Sequence, residues 1–190
     1  MTTDLEAKVL EASVQLIAEQ GLTGLSLREV ARRAGVSHRA PYHYFDDTAA
    51  MVAALVERGF ARLTERLEAA SVSGTVAQRL ERAGRAYVDF ALAEPVSFGL
   101  MFRPELTDLT RFPSAEAAGA RAFAVLRRLV EQNAGPRVGQ AKKDALVSML
   151  WSLAHGLATP LVDGPLGMTF PSGPARERHV AQVLQLFARR

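Results

Sequence analysis

The chain has 190 residues, of which 48% are hydrophobic and 23% charged, a balance that excludes an intrinsically disordered protein. It contains no cysteine, which excludes disulfides and thiolate metal sites and suits a reducing cytoplasm, the expected location. The net charge of +3 is uneven: residues 1–70 hold eight Lys/Arg against ten Asp/Glu, whereas residues 26–43 hold four Arg against one Glu, so any attraction for a polyanion is local.

Asp4 and Glu6 stand near the start with no early apolar run, so no signal peptide is expected. The first helix runs from about Asp4 to Gln20, with Leu5, Val9, Leu16 and Ile17 on one side and Gly21 as its stop. Ser26-Leu-Arg-Glu29 has the form of a capping box, in which the Ser hydroxyl accepts from the Glu amide and the Glu reaches back. It opens a short helix ending near Ala34. Gly35 can take the positive φ of a tight turn, and Ser37 can cap a third helix.

A long amphipathic helix follows Asp46 or Asp47, carrying Met51, Leu55, Phe60, Leu63 and Leu67 into a break at 71–75. The next runs from about Val76 to Ala93 and stops at Glu94-Pro95, because the residue before proline is pushed out of the α region. Residues 96–113 hold a short apolar helix and an irregular link around Pro104 and Pro113. A helix over 114–133 follows, then one over about 140–162. Residues 145–162 contain no Asp, Glu, Lys or Arg across 18 positions. A membrane span needs about 20 predominantly apolar residues. Ser148, Ser152, His155, Gly156 and Pro160 favour instead a helix buried on most of its faces in a bundle or at a subunit contact, and no membrane partner is expected. A Gly/Pro-rich loop over 163–174 precedes a last helix with Val180, Val183, Leu184 and Phe187 on one face. No strand pattern and no internal repeat occurs. The fold class is all-α, with nine helices: a small N-terminal head over 1–46 and a helical bundle over 47–190.

Function concentrates in SLREVARRAGVSHRAPYHYF, residues 26–45. Two short helices joined by a glycine turn form a helix-turn-helix, whose second helix can enter a major groove about 12 Å wide. Val30, Ala31, Val36 and Phe45 would hold the two at a fixed angle. Ser37, His38, Arg39, Tyr42 and His43 would then face double-stranded DNA. Arg39 can pair with guanine, Tyr42 and Ser37 can donate to phosphates, and Arg28 can reach a phosphate or groove edge. Ser26 and Tyr44 join the candidate set, Tyr44 as half core and half contact, and Thr48 at the start of the long helix is a further candidate. Arg32 and Arg33 fit either phosphate contacts or a solvated face. His38 and His43 lie five apart with no carboxylate partner, which is poor spacing for a metal site.

From the first helix through ARRAGVS, Tyr42, Phe45 and the start of the long helix, the sequence resembles the TetR/AcrR family of transcriptional repressors. Trp151-Ser-Leu-Ala-His155-Gly156 and FALAEPVSFGLMF (90–102) are similar to one branch of the family's C-terminal domains. The resemblance implies a homodimer built from the last two helices, here through Leu153, Leu157, Leu161, Val180, Val183, Leu184 and Phe187. It also implies a pocket for a small hydrophobic effector within the bundle, with Phe98, Met101, Phe102, Phe123, Leu126, Trp151 and His155 as candidate lining. A plain core suits Phe98, Met101 and Phe102 somewhat better than a pocket, whereas a packed Trp151 beside a satisfied His155 is on a par with pocket lining or a dimer contact. Family members often carry Thr at the position of Ala40 and usually Lys at that of Thr48. Thr48 keeps a hydrogen-bonding group but no charge, and Pro41 falls inside the recognition helix, where it lacks a donor.

Neither a cofactor nor an enzymatic activity is expected. The sequence has no Gly-x-Ser-x-Gly elbow, His-Glu-x-x-His, phosphate loop or Gly-x-Gly-x-x-Gly, and its four histidines (38, 43, 155 and 179) are scattered. A helical partner-binding module with weak or no DNA affinity remains the alternative.

Overall fold

The computed structural model describes residues 2–103 and 108–188; Pro104, expected in an irregular link, lies outside them. Nine α-helices run through the described residues, which include no strand: α1 (Thr2–Gln20), α2 (Leu27–Ala34), α3 (Thr48–Ala70), α4 (Val76–Ala93), α5 (Pro95–Met101), α6 (Pro113–Ala134), α7 (Gln140–Asp163), α8 (Pro165–Thr169) and α9 (Pro174–Ala188). The expected third helix is absent from this set, and α8 arises inside the expected loop.

Helix boundaries follow from local chemistry. Ser26 adopts an extended backbone and accepts the Glu29 amide at 3.2 Å, starting α2. Gly35 ends it at φ 66°, donating to Arg32 O while Val36 donates to Ala31 O, the paired bonds of a Schellman stop. A side chain here would force a Cβ into the left-handed region, which glycine enters at no cost. Asp47 caps α3 by accepting the Ala50 amide at 2.7 Å. Thr75 and Gln78 form a complete capping box at the start of α4. Pro165 opens α8 at a position whose missing N–H costs nothing. Gly167 lets α8 lie close on the end of α7, since a Cβ there would stand 2.6 Å from the Leu161 carbonyl oxygen.

The chain divides into two compact units, one formed by 1–59 with 96–118 and the other by 60–95 with 119–190. The division differs from a cut at residue 46, because α3 contributes its first half to one unit and its second half to the other. In the first unit, α1 packs on α2 over Val9, Leu16, Val30, Met51 and Phe45, all buried. Ser13 is buried among them and satisfied by Val9 O at 2.8 Å. α5 adds Phe98 and Met101, the latter lying against Gly59.

The second unit centres on α4, which packs against both α7 and α9. Its core includes Tyr87, Val88, Phe90, Val147, Leu157, Leu161, Val180 and Leu184. Glu94, at the end of α4, is gripped by Arg62 at 2.5 Å and Arg66 at 3.1 Å, and Arg66 also lies over the Phe90 ring. α7 is long and apolar enough by length and composition to cross a membrane, and 28% of its most apolar stretch is buried within the single chain, less than a helix covered on most faces by its own bundle would show. One stripe (Val147, Ala154, Leu157, Ala158 and Leu161) faces inward, because a single unit of this size offers it only one neighbouring layer.

Phe45 anchors the recognition segment from below. Truncating it (Phe45→Ala) should cost about 3–5 kcal/mol, as for large-to-small changes in packed cores. Chemical denaturation of the two proteins under identical conditions measures the difference.

Candidate nucleic-acid interface

Between α2 and α3 the chain does not complete an α-helix. Residues 41–43 form a 3₁₀ turn, and the bonds around it are short-range: Ala40 N–H to Ser37 O at 2.9 Å, Tyr42 N–H to Arg39 O at 3.2 Å, His43 N–H to Ala40 O at 3.2 Å. Proline explains the difference from the expected helix. Pro41 has no N–H for the Ser37 carbonyl, which takes the Ala40 amide instead and winds the segment tighter. Phe45 N–H still reaches Pro41 O at 2.9 Å, so the segment stays helical enough to turn one side outward.

Ala40, Pro41 and Phe45 are buried, Tyr44 is half-buried, and Ser37, His38, Arg39, Tyr42 and His43 are exposed, Tyr42 to 55%. The five residues expected to face DNA therefore share the solvent side of one segment. Ala40 faces the core, so its side of the segment is not presented to a phosphate. Sequence reasoning took Pro41 for a disturbance; it is part of the wedge that seats the segment on α2. Thr48 is half-buried in the first turn of α3.

The four arginines of the region do not act alike. Arg32 forks onto Glu29, with Nε to Oε2 at 2.9 Å and Nη2 to Oε1 at 2.5 Å. That fork also accounts for the incomplete capping box: the Ser26 half forms, while the Glu29 carboxylate engages Arg32. Its guanidinium holds the Glu29 carboxyl below the usual carboxylate range. Arg33 pairs with Glu19 of α1 in the same two-point manner. Among the described residues no carboxylate pairs with Arg28 or Arg39, and both are exposed. Ser26 is exposed but committed to capping.

The candidate effector residues fall into two groups. Phe98 and Met101 are buried in the first unit, with Phe102 packed edge-on to Phe98 at 5.3 Å. In the second unit Phe123 is exposed under the Arg127 guanidinium, so it does not line the interior of that unit. The buried residues of α6 are Ala115, Ala118, Ala122, Val125, Leu129 and Val130, and Phe123 is not among them. Leu126 is half-buried beside them. Trp151 stacks on His155 with centroids 5.0 Å apart, and Tyr87 Oη lies 2.9 Å from His155 Nδ1. Tyr87 was missed because its partner is 68 positions away. Burial pushes its phenol pKa up, while its hydrogen bond with Trp151 opposes that shift. Burial pushes the His155 imidazole down, so the pair is neutral at physiological pH.

The dimer candidates need correction. Leu157, Leu161, Val180 and Leu184 are buried within their own unit, because α4 already covers that side of α7 and α9. Leu153 and Val183 are half-buried, and the side chain of Phe187 lies outside the described residues. Exposed instead are Met149, Ser152, Gly156 and Thr159 on α7 and Leu186 on α9.

A recognition segment braced on a two-helix head, joined to a helical bundle, has the architecture of a helix-turn-helix transcriptional regulator. Residues 80–183 match the tetracycline repressor-like C-terminal domain, and residues 9–55 match the bacterial regulatory proteins of the tetR family. The chain belongs to the TetR family. A solved structure of unknown function from Rhodococcus sp. RHA1 is 31% identical with a TM-score of 0.79, covering 97% of this chain and 94% of that one. The fold is also that of FadR, a fatty acid degradation regulator from Bacillus halodurans, at 17% identity and a TM-score of 0.73 over 95% and 94% of the two chains. An HTH-type transcriptional repressor of Mycobacterium tuberculosis is 28% identical over 82 residues, which span 43% of this chain and 44% of that protein. The chain thus matches less than half the length of this curated relative.

The depressed imidazole of His155 sets a pH dependence. Well above about pH 6.5, the ordinary imidazole value, the side chain is neutral whether folded or unfolded and contributes no slope. Below it the unfolded chain binds the proton first, so stability falls with pH until the folded-state imidazole also protonates. Thermal melts from neutral to mildly acidic pH should show this loss in the wild type and a smaller one in His155→Gln.

Proposed function

We propose that this regulator is a repressor that binds an inverted-repeat operator as a homodimer and leaves it when a small hydrophobic molecule occupies its C-terminal domain. The exposed face of Ser37, His38, Arg39, Tyr42 and His43, with Arg28 and Arg39 free of carboxylates, carries the reading. In a dimer two such faces would enter successive major grooves about 34–36 Å apart. Arg39 reads a base edge, while Tyr42, Ser37 and Arg28 fix the register on phosphates. Repression, rather than activation, is supported by the name of the partly matching mycobacterial relative.

The effector would be held in the second unit near Trp151, His155 and Tyr87. A neutral imidazole and phenol among apolar neighbours suit a mostly hydrophobic molecule with one polar group. Effector and operator favour different states, so each weakens the other by the same factor.

Self-association is supported by the exposed face of α7, an uncharged row of Met149, Ser152, Gly156 and Thr159 whose small residues permit close approach of another helix. Arg39→Ala should cost roughly 1–3 kcal/mol in operator binding and relax preference at one position per half-site, whereas Tyr42→Phe should weaken all sequences about evenly. Binding titrations against a panel of single-base operator variants measure both; an unchanged preference in Arg39→Ala would sink this docking.

Gly156 offers a clean test of the dimer. A Cβ built there meets nothing within 4 Å in the single chain, so Gly156→Arg should fold normally. If α7 is the subunit contact, the arginine lands on the partner, and sedimentation at micromolar concentration should give monomers. A dimeric Gly156→Arg would move the contact elsewhere.

A further inference from the structure

On the side of the recognition segment, a cleft of about 330 Å³ opens between it and the start of α2. Ser26, Arg28, Glu29 and Arg32 line it from α2 and its cap, and His38 from the recognition segment. The Arg32–Glu29 fork leaves those two groups with little net charge. The remaining fixed charge of the cleft is Arg28. On its own segment His38 has Arg39, Tyr42, His43 and Tyr44 as titratable or charged companions; residues 37–45 include no carboxylate, and Asp46 and Asp47 follow just before α3.

We propose that His38 is a proton-dependent phosphate contact: its imidazolium and the Arg28 guanidinium together hold one backbone phosphate of duplex DNA in this cleft. The proposal rests on the DNA-binding reading of the recognition segment and adds a proton to the reaction. Histidine is the side chain whose charge changes across the physiological range. Protonating His38 takes the cleft from one uncompensated positive charge to two. A phosphate beside the ring favours the charged form, so proton and DNA each strengthen the binding of the other. The extra cation also releases an extra counterion, which ties the pH response to salt. Glu29 would oppose this if it were loose. Arg32 prevents that by occupying both its oxygens.

The contact is to the backbone, so a mixed-sequence duplex is a sufficient probe and no operator is needed. The full chain is titrated with labelled duplex by fluorescence anisotropy at pH 8, 7 and 6, at two salt concentrations. The apparent Kd of the wild type should fall about tenfold from pH 8 to pH 6, with a salt slope steeper by about one at the lower pH. His38→Gln should lose most of that response, His38→Lys should bind tightly at every pH, and His43→Gln should keep the response. A wild type that binds duplex with a flat pH profile, or a His38→Gln protein with the full response, overturns the proposal and leaves the DNA-binding reading standing. Failure to bind duplex at any pH overturns both.

Discussion

Pro41 has no amide proton to give, and the recognition segment is built around that fact. Its absence leaves the Ser37 carbonyl to the Ala40 amide and tightens the winding through His43. Its ring is buried beside Ala40 and above Phe45, where it fills the space between the segment and α2. The two effects reinforce each other. A residue that costs a hydrogen bond in a free helix here removes backbone freedom from a short segment that must be stiff to read a groove. The Schellman stop at Gly35 fixes the other end, so the outward row from Ser37 to His43 is held from both sides.

Charge in the same region is managed by pairing rather than by excess. Two of four arginines are spent on Glu29 and Glu19, tying α2 internally and to α1. These are exposed pairs, and such pairs contribute little to stability, typically about 0–1 kcal/mol. Their consequence is electrostatic: they silence two carboxylates that would repel a phosphate backbone and leave Arg28 and Arg39 as the unpaired guanidinium cations of the face. The local excess of positive charge in residues 26–43 therefore overstates the number of arginines free to meet DNA.

The second unit shows a different constraint. α4 covers one side of α7 and of α9, and the opposite side of α7 is left with Met149, Ser152, Gly156 and Thr159 in water. That side carries no charge, and its small residues in a row permit close approach of another helix. Inside the unit the Tyr87–His155 bond satisfies two polar groups that burial would otherwise penalise.

The sequence by itself determined the helices with strong caps and the composition of the recognition face. Ser26, Gly35, Asp47, Thr75 and Pro95 act on neighbours within four residues, so their effects are legible without a fold, and α4 begins and ends where they place it. The outward set Ser37, His38, Arg39, Tyr42 and His43 was legible for the same reason, since the segment is short and its core side is apolar. Tertiary structure alone decided what depends on distant partners. Periodicity marks the apolar side of α7 and α9 but cannot say whether α4 or another subunit covers it, so Leu157, Leu161, Val180 and Leu184 read as interface and are core. The fork of Arg32 on Glu29 competes with the capping box on equal local terms, and only the folded geometry chooses between them. Tyr87 meets His155 across 68 positions, and no spacing rule reaches that far. Burial and long-range pairing are properties of the packed chain, and there the reach of the sequence ends.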